Sequence, residues 1–117
     1  MRTILTIFLI LFTPPIFAQN IAMPDCTGIE NYPASMAFVH LKNAGITSND
    51  KIDFSRTTVS RLASEKKEHN VFQQVHLVAY QEKSGKKFSL ITFNDVSSEE
   101  CSMSQAEVYL IDRRLDK

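Results

Sequence analysis

Residues 71–93 read VFQQVHLVAYQEKSGKKFSLITF, and this stretch decides the fold. Two apolar-rich runs flank Lys83-Ser84-Gly85-Lys86-Lys87, a polar turn whose glycine is free to take positive φ. In the first run Val71, Val75, Leu77 and Ala79 share one parity, and Phe72, His76, Val78 and Tyr80 share the other. In the second, Phe88 and Leu90 alternate with Ile91 and Phe93. Both parities carry bulk, so neither face is fully wetted. That predicts a hairpin whose strands lie centrally in a sheet.

Working outward, Glu68-His69-Asn70 supplies a turn into the hairpin. Upstream of it, Phe54–Lys67 is ambiguous between helix and strand. Val59, Leu62 and Ala63 fit a helix, whereas Thr57, Thr58 and Val59 favour a strand. As a strand, Val59 and Leu62 face opposite sides, a defect that a bulge repairs. The turn after it favours strand. Ile46–Asp53 reads as a connecting loop. Downstream, Asp95–Ser104 is a small-residue, polar loop around Cys101, and Ala106–Ile111 alternates as a fourth strand that fades into Arg113-Arg114.

The helix comes first in the chain. Thr27-Gly28-Ile29-Glu30 has the spacing of a capping box, and Pro33 marks either a second start capped by Asn31 or a kink. Met36, Ala37, Val39, His40, Leu41 and Ala44 give a stripe at helical spacing, and Gly45 provides a stop. A helix over Gly28–Ala44 is expected, packed across one face of a four-stranded antiparallel meander. The fold class is therefore α+β.

The N-terminus has the layout of a secretory signal. A basic Met1-Arg2-Thr3 precedes an apolar run to Phe12, then Thr13-Pro14-Pro15, then Ile16-Phe17-Ala18 before Gln19-Asn20. Cleavage is expected after Ala18, with residues 1–18 as signal peptide and 19–117 as one mature domain. An uncleaved anchor is the competing reading, disfavoured by the short apolar run and its two prolines. No cysteine stands at the cut, which argues against a lipoprotein. Export to the periplasm leaves roughly 99 residues, near the lower range for an independent core. Gln19–Asp25 is expected to be extended and partly mobile, with Pro24 opposing helix.

An exported chain of this size with an even number of cysteines is expected to oxidise them. With only Cys26 and Cys101, one intramolecular pairing is open, joining the start of the mature domain to a point near its end. Two reactive thiols are the alternative, but no Cys-x-x-Cys spacing or nearby paired histidine favours it.

The formal net charge of zero removes the basic field that nucleic acid or an anionic membrane would call for. No phosphate loop, zinc-protease, nucleophile-elbow or EF-hand spacing occurs, and an enzyme is not expected. His40, His69 and His76 are too dispersed to predict a metal site, and no cofactor is expected. His76 reads as a half-buried strand residue with a hydrogen-bond partner. Phe72, Tyr80 and Phe88 read as core. Lys83, Lys86 and Lys87 read as solubility charges. Asp95, Glu99 and Glu100 form an acidic patch beside Cys101, either a solvated loop or a surface that meets a basic cleft.

Met23-Pro24-Asp25-Cys26-Thr27-Gly28-Ile29 leading into a helix, followed by a meander with a late second cysteine, resembles the small exported enterobacterial proteins of the YebF and colicin M immunity kind. The resemblance is carried by Cys26-x-Gly28-Ile29 and the placement of Cys101. Contact-dependent inhibition immunity proteins of the CdiI type are a second similar group. The resemblance implies stoichiometric neutralisation of a cognate bacterial toxin, a protein partner, with no nucleic acid and no stable membrane insertion after cleavage. The alternative function is an exported accessory or small-ligand carrier, with a pocket between helix and sheet lined by Met36, His40, Val78 or Phe93.

Overall fold

The computed structural model describes residues 13–14, 22–112 and 115. The expected cleavage point after Ala18 lies outside them, as do the expected signal peptide apart from residues 13–14 and the Arg113-Arg114 tail. One helix, α1 (Tyr32–Asn43), and a short 3-10 turn (Phe54–Arg56) precede four strands: β1 (Thr58–Glu68), β2 (Val71–Gln81), β3 (Lys87–Val96) and β4 (Glu107–Ile111). The sheet order is β1-β2-β3-β4 and every pairing is antiparallel, so the fold is an α+β meander with the predicted hairpin at its centre.

The β2–β3 register runs unbroken from Phe72↔Val96 to Gln81↔Lys87. Gly85, at φ 98°, turns the loop between them, and its N–H donates to Glu82 O at 2.9 Å. The β1–β2 connection is tight, with Asn70 at φ 57° in the left-handed region that asparagine tolerates. β1 is a strand, and its register breaks between Arg61 and Ala63 and again between Lys66 and Glu68. The first break is the bulge that the parity of Val59 and Leu62 called for, but Leu62 itself stays 54% exposed. Asp95 and Val96 belong to β3 rather than to the following loop.

Helix α1 starts later than the expected Gly28. The capping box does not form, because the Thr27 hydroxyl donates to Asp25 Oδ1 at 2.6 Å. Asn31 is the N-cap without a side-chain cap bond, and Pro33 occupies the first turn, where its missing N–H costs nothing. The helix ends as expected. Ile46 N–H reaches Leu41 O and Gly45 N–H reaches Lys42 O, with Gly45 at φ 71°, the paired bonds of a Schellman motif.

The buried helix residues are Pro33, Ala34, Ala37, Phe38 and Leu41. His40 and Ala44, assigned to the apolar stripe from sequence, are exposed. Small alanines let the helix approach the sheet closely, and Phe38 and Leu41 supply the bulk. They pack on Val78, Tyr80, Phe88 and Leu90 of the two central strands, with Ile52 alongside. The Tyr80 hydroxyl donates to Ala34 O at 2.7 Å, and burial pushes its pKa up to about 12. A second buried cluster of Cys26, Phe72 and Val96, with Cys101 against it, lies at the other end of the same sheet face.

The helix covers one face only. The opposite parity, Val75, Leu77, Ala79, Ile91 and Phe93, is intermediate in exposure rather than buried. Bulk on both parities therefore reflects one covered face and one half-open apolar face.

Candidate functional site: the cross-linked acidic loop

The expected acidic trio separates into two environments. Asp95 lies on β3 and its carboxylate pairs with Lys67 Nζ at 3.0 Å, so much of its charge is met inside the molecule. Glu99 and Glu100 lie in the β3–β4 loop and are exposed.

That loop is fixed from several directions. Cys101 is bonded to Cys26 across a sequence separation of 75. The Ser97 hydroxyl accepts from Glu99 N–H at 3.2 Å and Glu100 N–H at 3.1 Å, and Ser97 N–H donates to Glu100 O at 2.8 Å. Ser98 N–H donates to Asn70 Oδ1 at 3.1 Å, tying the loop to the β1–β2 turn. The Asn94 amide donates to Cys101 O at 2.7 Å. Met103 N–H returns to Asp95 O at 2.9 Å, and Asp95 N–H to Ser104 Oγ at 2.8 Å. Two small serines and two asparagines thus satisfy loop backbone groups that would otherwise need water. Beneath them Phe72, Val96 and Cys26 form an apolar base. The backbone is held while both glutamates point out.

The lead-in segment is strapped down rather than mobile at its described end. Pro24 is buried, and its carbonyl accepts from Gln74 Nε2 at 3.0 Å and from Arg61 Nη1 at 3.1 Å. Thr27 N–H and Thr27 Oγ1 both donate to the Asp25 carboxylate, which they hold below the usual carboxylate range.

Between the two apolar clusters runs a buried polar band that the sequence did not reveal. Gln74, His76 and Thr92 are 0% exposed and Asn94 is 3% exposed, and the register sets Gln74 against Asn94 and His76 against Thr92. His76 is fully buried rather than half-buried, and neither ring nitrogen has the partner expected for it. Burial, then the neighbouring Arg61 guanidinium, pushes its pKa down, against a smaller opposing pull from Asp25. The one available signal was positional, since these residues share the parity of Phe72, Val78 and Tyr80.

A groove of about 420 Å³ does lie beside the helix, but its walls combine apolar residues such as Phe38, Phe54 and Tyr80 with polar ones such as Glu30, Lys42 and Asn49, and none of them is a residue expected for a ligand pocket. Of the expected residues, Val78 is 0% exposed in the core, and His40 borders a different cleft with Leu90 and Val108. Among the described residues, no cluster of three or more His, Cys, Asp or Glu is placed to hold a metal, and no helix is long and apolar enough to cross a membrane. No family model, curated protein or solved structure matches this chain.

Proposed function

We propose that this chain is an exported binding protein of the immunity or inhibitor class, which neutralises a bacterial toxin in the periplasm by one-to-one association. The observation that carries the proposal is the loop Ser97–Ser104, whose backbone is anchored by the Cys26–Cys101 bond and by Ser97, Asn70 and Asn94 while Glu99 and Glu100 stay exposed. A surface ordered before it binds loses little entropy on docking. Two carboxylates on such a surface suit a basic cleft, where they steer encounter and form charge-assisted hydrogen bonds. A specific complex of this kind buries about 1,200–2,000 Å² in total. No catalytic role is assigned to any residue.

The test is capture by the immobilised mature chain from an envelope extract, identification of the bound protein by mass spectrometry, and a growth assay with that protein. A toxin whose killing is relieved by equimolar chain supports the proposal. A captured protein without toxicity, or toxicity that the chain does not relieve, overturns it. The competing carrier function has the groove walled by Phe38, Phe54 and Tyr80 in its favour. Native mass spectrometry that finds a small molecule retained by the purified chain would support that reading instead.

A further inference from the structure

The C-terminal turn of α1 meets the last two strands beside the β2–β3 hairpin tip. Gly45 takes positive φ and Ile46 N–H returns to Leu41 O, which carries the Ile46 side chain back against the core. On the same face of the sheet Leu110 stands against Leu90. Two adjoining clefts result. One, of about 240 Å³, is bounded by His40, Leu41, Ala44, Leu90 and Val108, and the other, of about 310 Å³, by Lys86, Lys87, Phe88, Ile111 and Asp112. Ile46 and Leu110 border both. From Val108 to Asp112 the line is about 13 Å long at the rise of a strand.

The chemistry changes along that line. Its floor is hydrocarbon, with Leu41, Leu90 and Phe88 buried, and its rim leaves Leu110 and Ile111 41% and 44% exposed. At the hairpin end stand two ammonium groups, both on exposed residues. Lys86 Nζ lies over the Phe88 ring, 5.2 Å from its centroid, and Lys87 follows it in the chain. Asp112 is the one carboxylate in the lining, and among the described residues no ion pair ties it to either lysine. Two cations against one anion leave the mouth positive. Glu107, at the far end of β4, stands against Phe93 on the opposite face and accepts from the Tyr109 hydroxyl at 3.0 Å.

We propose that this cleft binds a free, single-chain carboxylate amphiphile of medium length. Its hydrocarbon lies along Leu110 between Ile46 and Leu90, and its carboxylate accepts from Lys86 and Lys87. The chain covers apolar surface that is otherwise left in water. The ammonium groups donate charge-assisted hydrogen bonds to the head. A cationic amphiphile meets like charge at the mouth, and a two-chain lipid exceeds the volume. The cleft is separate from the groove walled by Phe38, Phe54 and Tyr80, and it lies at the opposite end of β3 from Glu99 and Glu100.

Calorimetric titration of the disulfide-bonded mature chain with dodecanoate, below its micelle-forming concentration, tests this. One site is expected, tighter than about 100 µM. Dodecyltrimethylammonium, with the same tail, should bind at least tenfold more weakly. Lys86→Glu with Lys87→Glu, both at exposed positions, should weaken dodecanoate at least tenfold, and Leu110→Asp should abolish binding. If the Leu110 variant fails to fold, the lysine pair decides. Methyl NMR shifts on adding dodecanoate should centre on Ile46, Val108 and Leu110. Absence of saturable binding overturns the proposal, as do equal affinity for the cationic amphiphile, indifference to the lysine substitutions, or shifts confined to the groove beside Phe54. A chain that ignores dodecanoate but binds phosphatidylglycerol vesicles also overturns it.

Discussion

His76 on β2 stands directly opposite Thr92 on β3, both at 0% exposure, and none of their side-chain polar atoms has a protein partner. A polar step is thus sealed into the middle of the covered sheet face, between an apolar cluster under the helix and another under the disulfide. An unpaired polar group in such a place opposes folding by about 1–3 kcal/mol. The helix-side and disulfide-side clusters must outweigh it.

Acid should therefore loosen this fold at mild pH. Burial and then Arg61 lower the His76 pKa from its ordinary 6.5, so the folded state keeps the ring neutral while the unfolded chain binds a proton near that value. The contribution is fully present above pH 6.5 and is lost as pH falls from there towards the folded pKa. The groups facing the ring are Arg61 from β1 and Asp25 from the lead-in. Urea midpoints at pH 7.5 and 5.0 should differ, with the lower value at pH 5.0 (test conditions about one unit or more either side of the ordinary histidine pKa). His76→Leu should flatten that dependence. The lowered carboxylates Asp25, Asp50 and Asp53 act in a separate window, losing their effect only as pH falls below the ordinary aspartate value of 3.8.

The Cys26–Cys101 bond closes a loop with a sequence separation of 75, for which chain entropy predicts about 4–5 kcal/mol. Cys26→Ala with Cys101→Ala should cost about 2–5 kcal/mol in urea unfolding, and reductant should have no further effect on that variant.

Two leucines should behave oppositely. Leu41 is 2% exposed at the centre of the helix–sheet core, and Leu41→Ala should cost about 2–5 kcal/mol. Leu62, the extra residue of the first bulge, is 54% exposed, and Leu62→Ala should change stability by less than about 0.5 kcal/mol. Equal effects would contradict the placement of the bulge residue outside the core.

Gly45→Ala isolates a backbone effect. Nothing lies within 4 Å of the added Cβ, but the residue sits at φ +71°. The expected loss is about 1–2 kcal/mol by thermal unfolding, with no change in native fluorescence or oligomeric state.

The hairpin was legible because Phe72, Val78, Tyr80, Phe88 and Leu90 recur at the strand period and bracket a glycine turn. The bulge in β1 was legible as a parity conflict between Val59 and Leu62. The helix start was not, because Thr27 and Glu30 match a capping box in spacing while Asp25, two residues earlier, captures the threonine. The alanines blur the helix face: helical spacing favours His40 and Ala44, which are exposed, over Ala34 and Phe38, which are buried. At the candidate site, the position of Cys101 and the exposure of Glu99 and Glu100 could be read locally. The engagement of Asp95 could not, since its partner Lys67 lies 28 residues away and only the sheet register brings them together. The polar band is hidden for the same reason: His76 reads as half-buried with a partner of its own, and its full burial together with Gln74 shows only when Asn94 and Thr92 are set opposite them.

The central claim is that a cross-linked loop presents Glu99 and Glu100 to a basic site on a protein partner. Calorimetric titration of that partner with the wild-type chain and with Glu99→Lys/Glu100→Lys, each at low and high salt, tests it most directly. Affinity is expected to fall at least about 30-fold, roughly 2 kcal/mol, in the reversed variant, with most of the salt dependence gone. An unchanged affinity with unchanged salt dependence would contradict it.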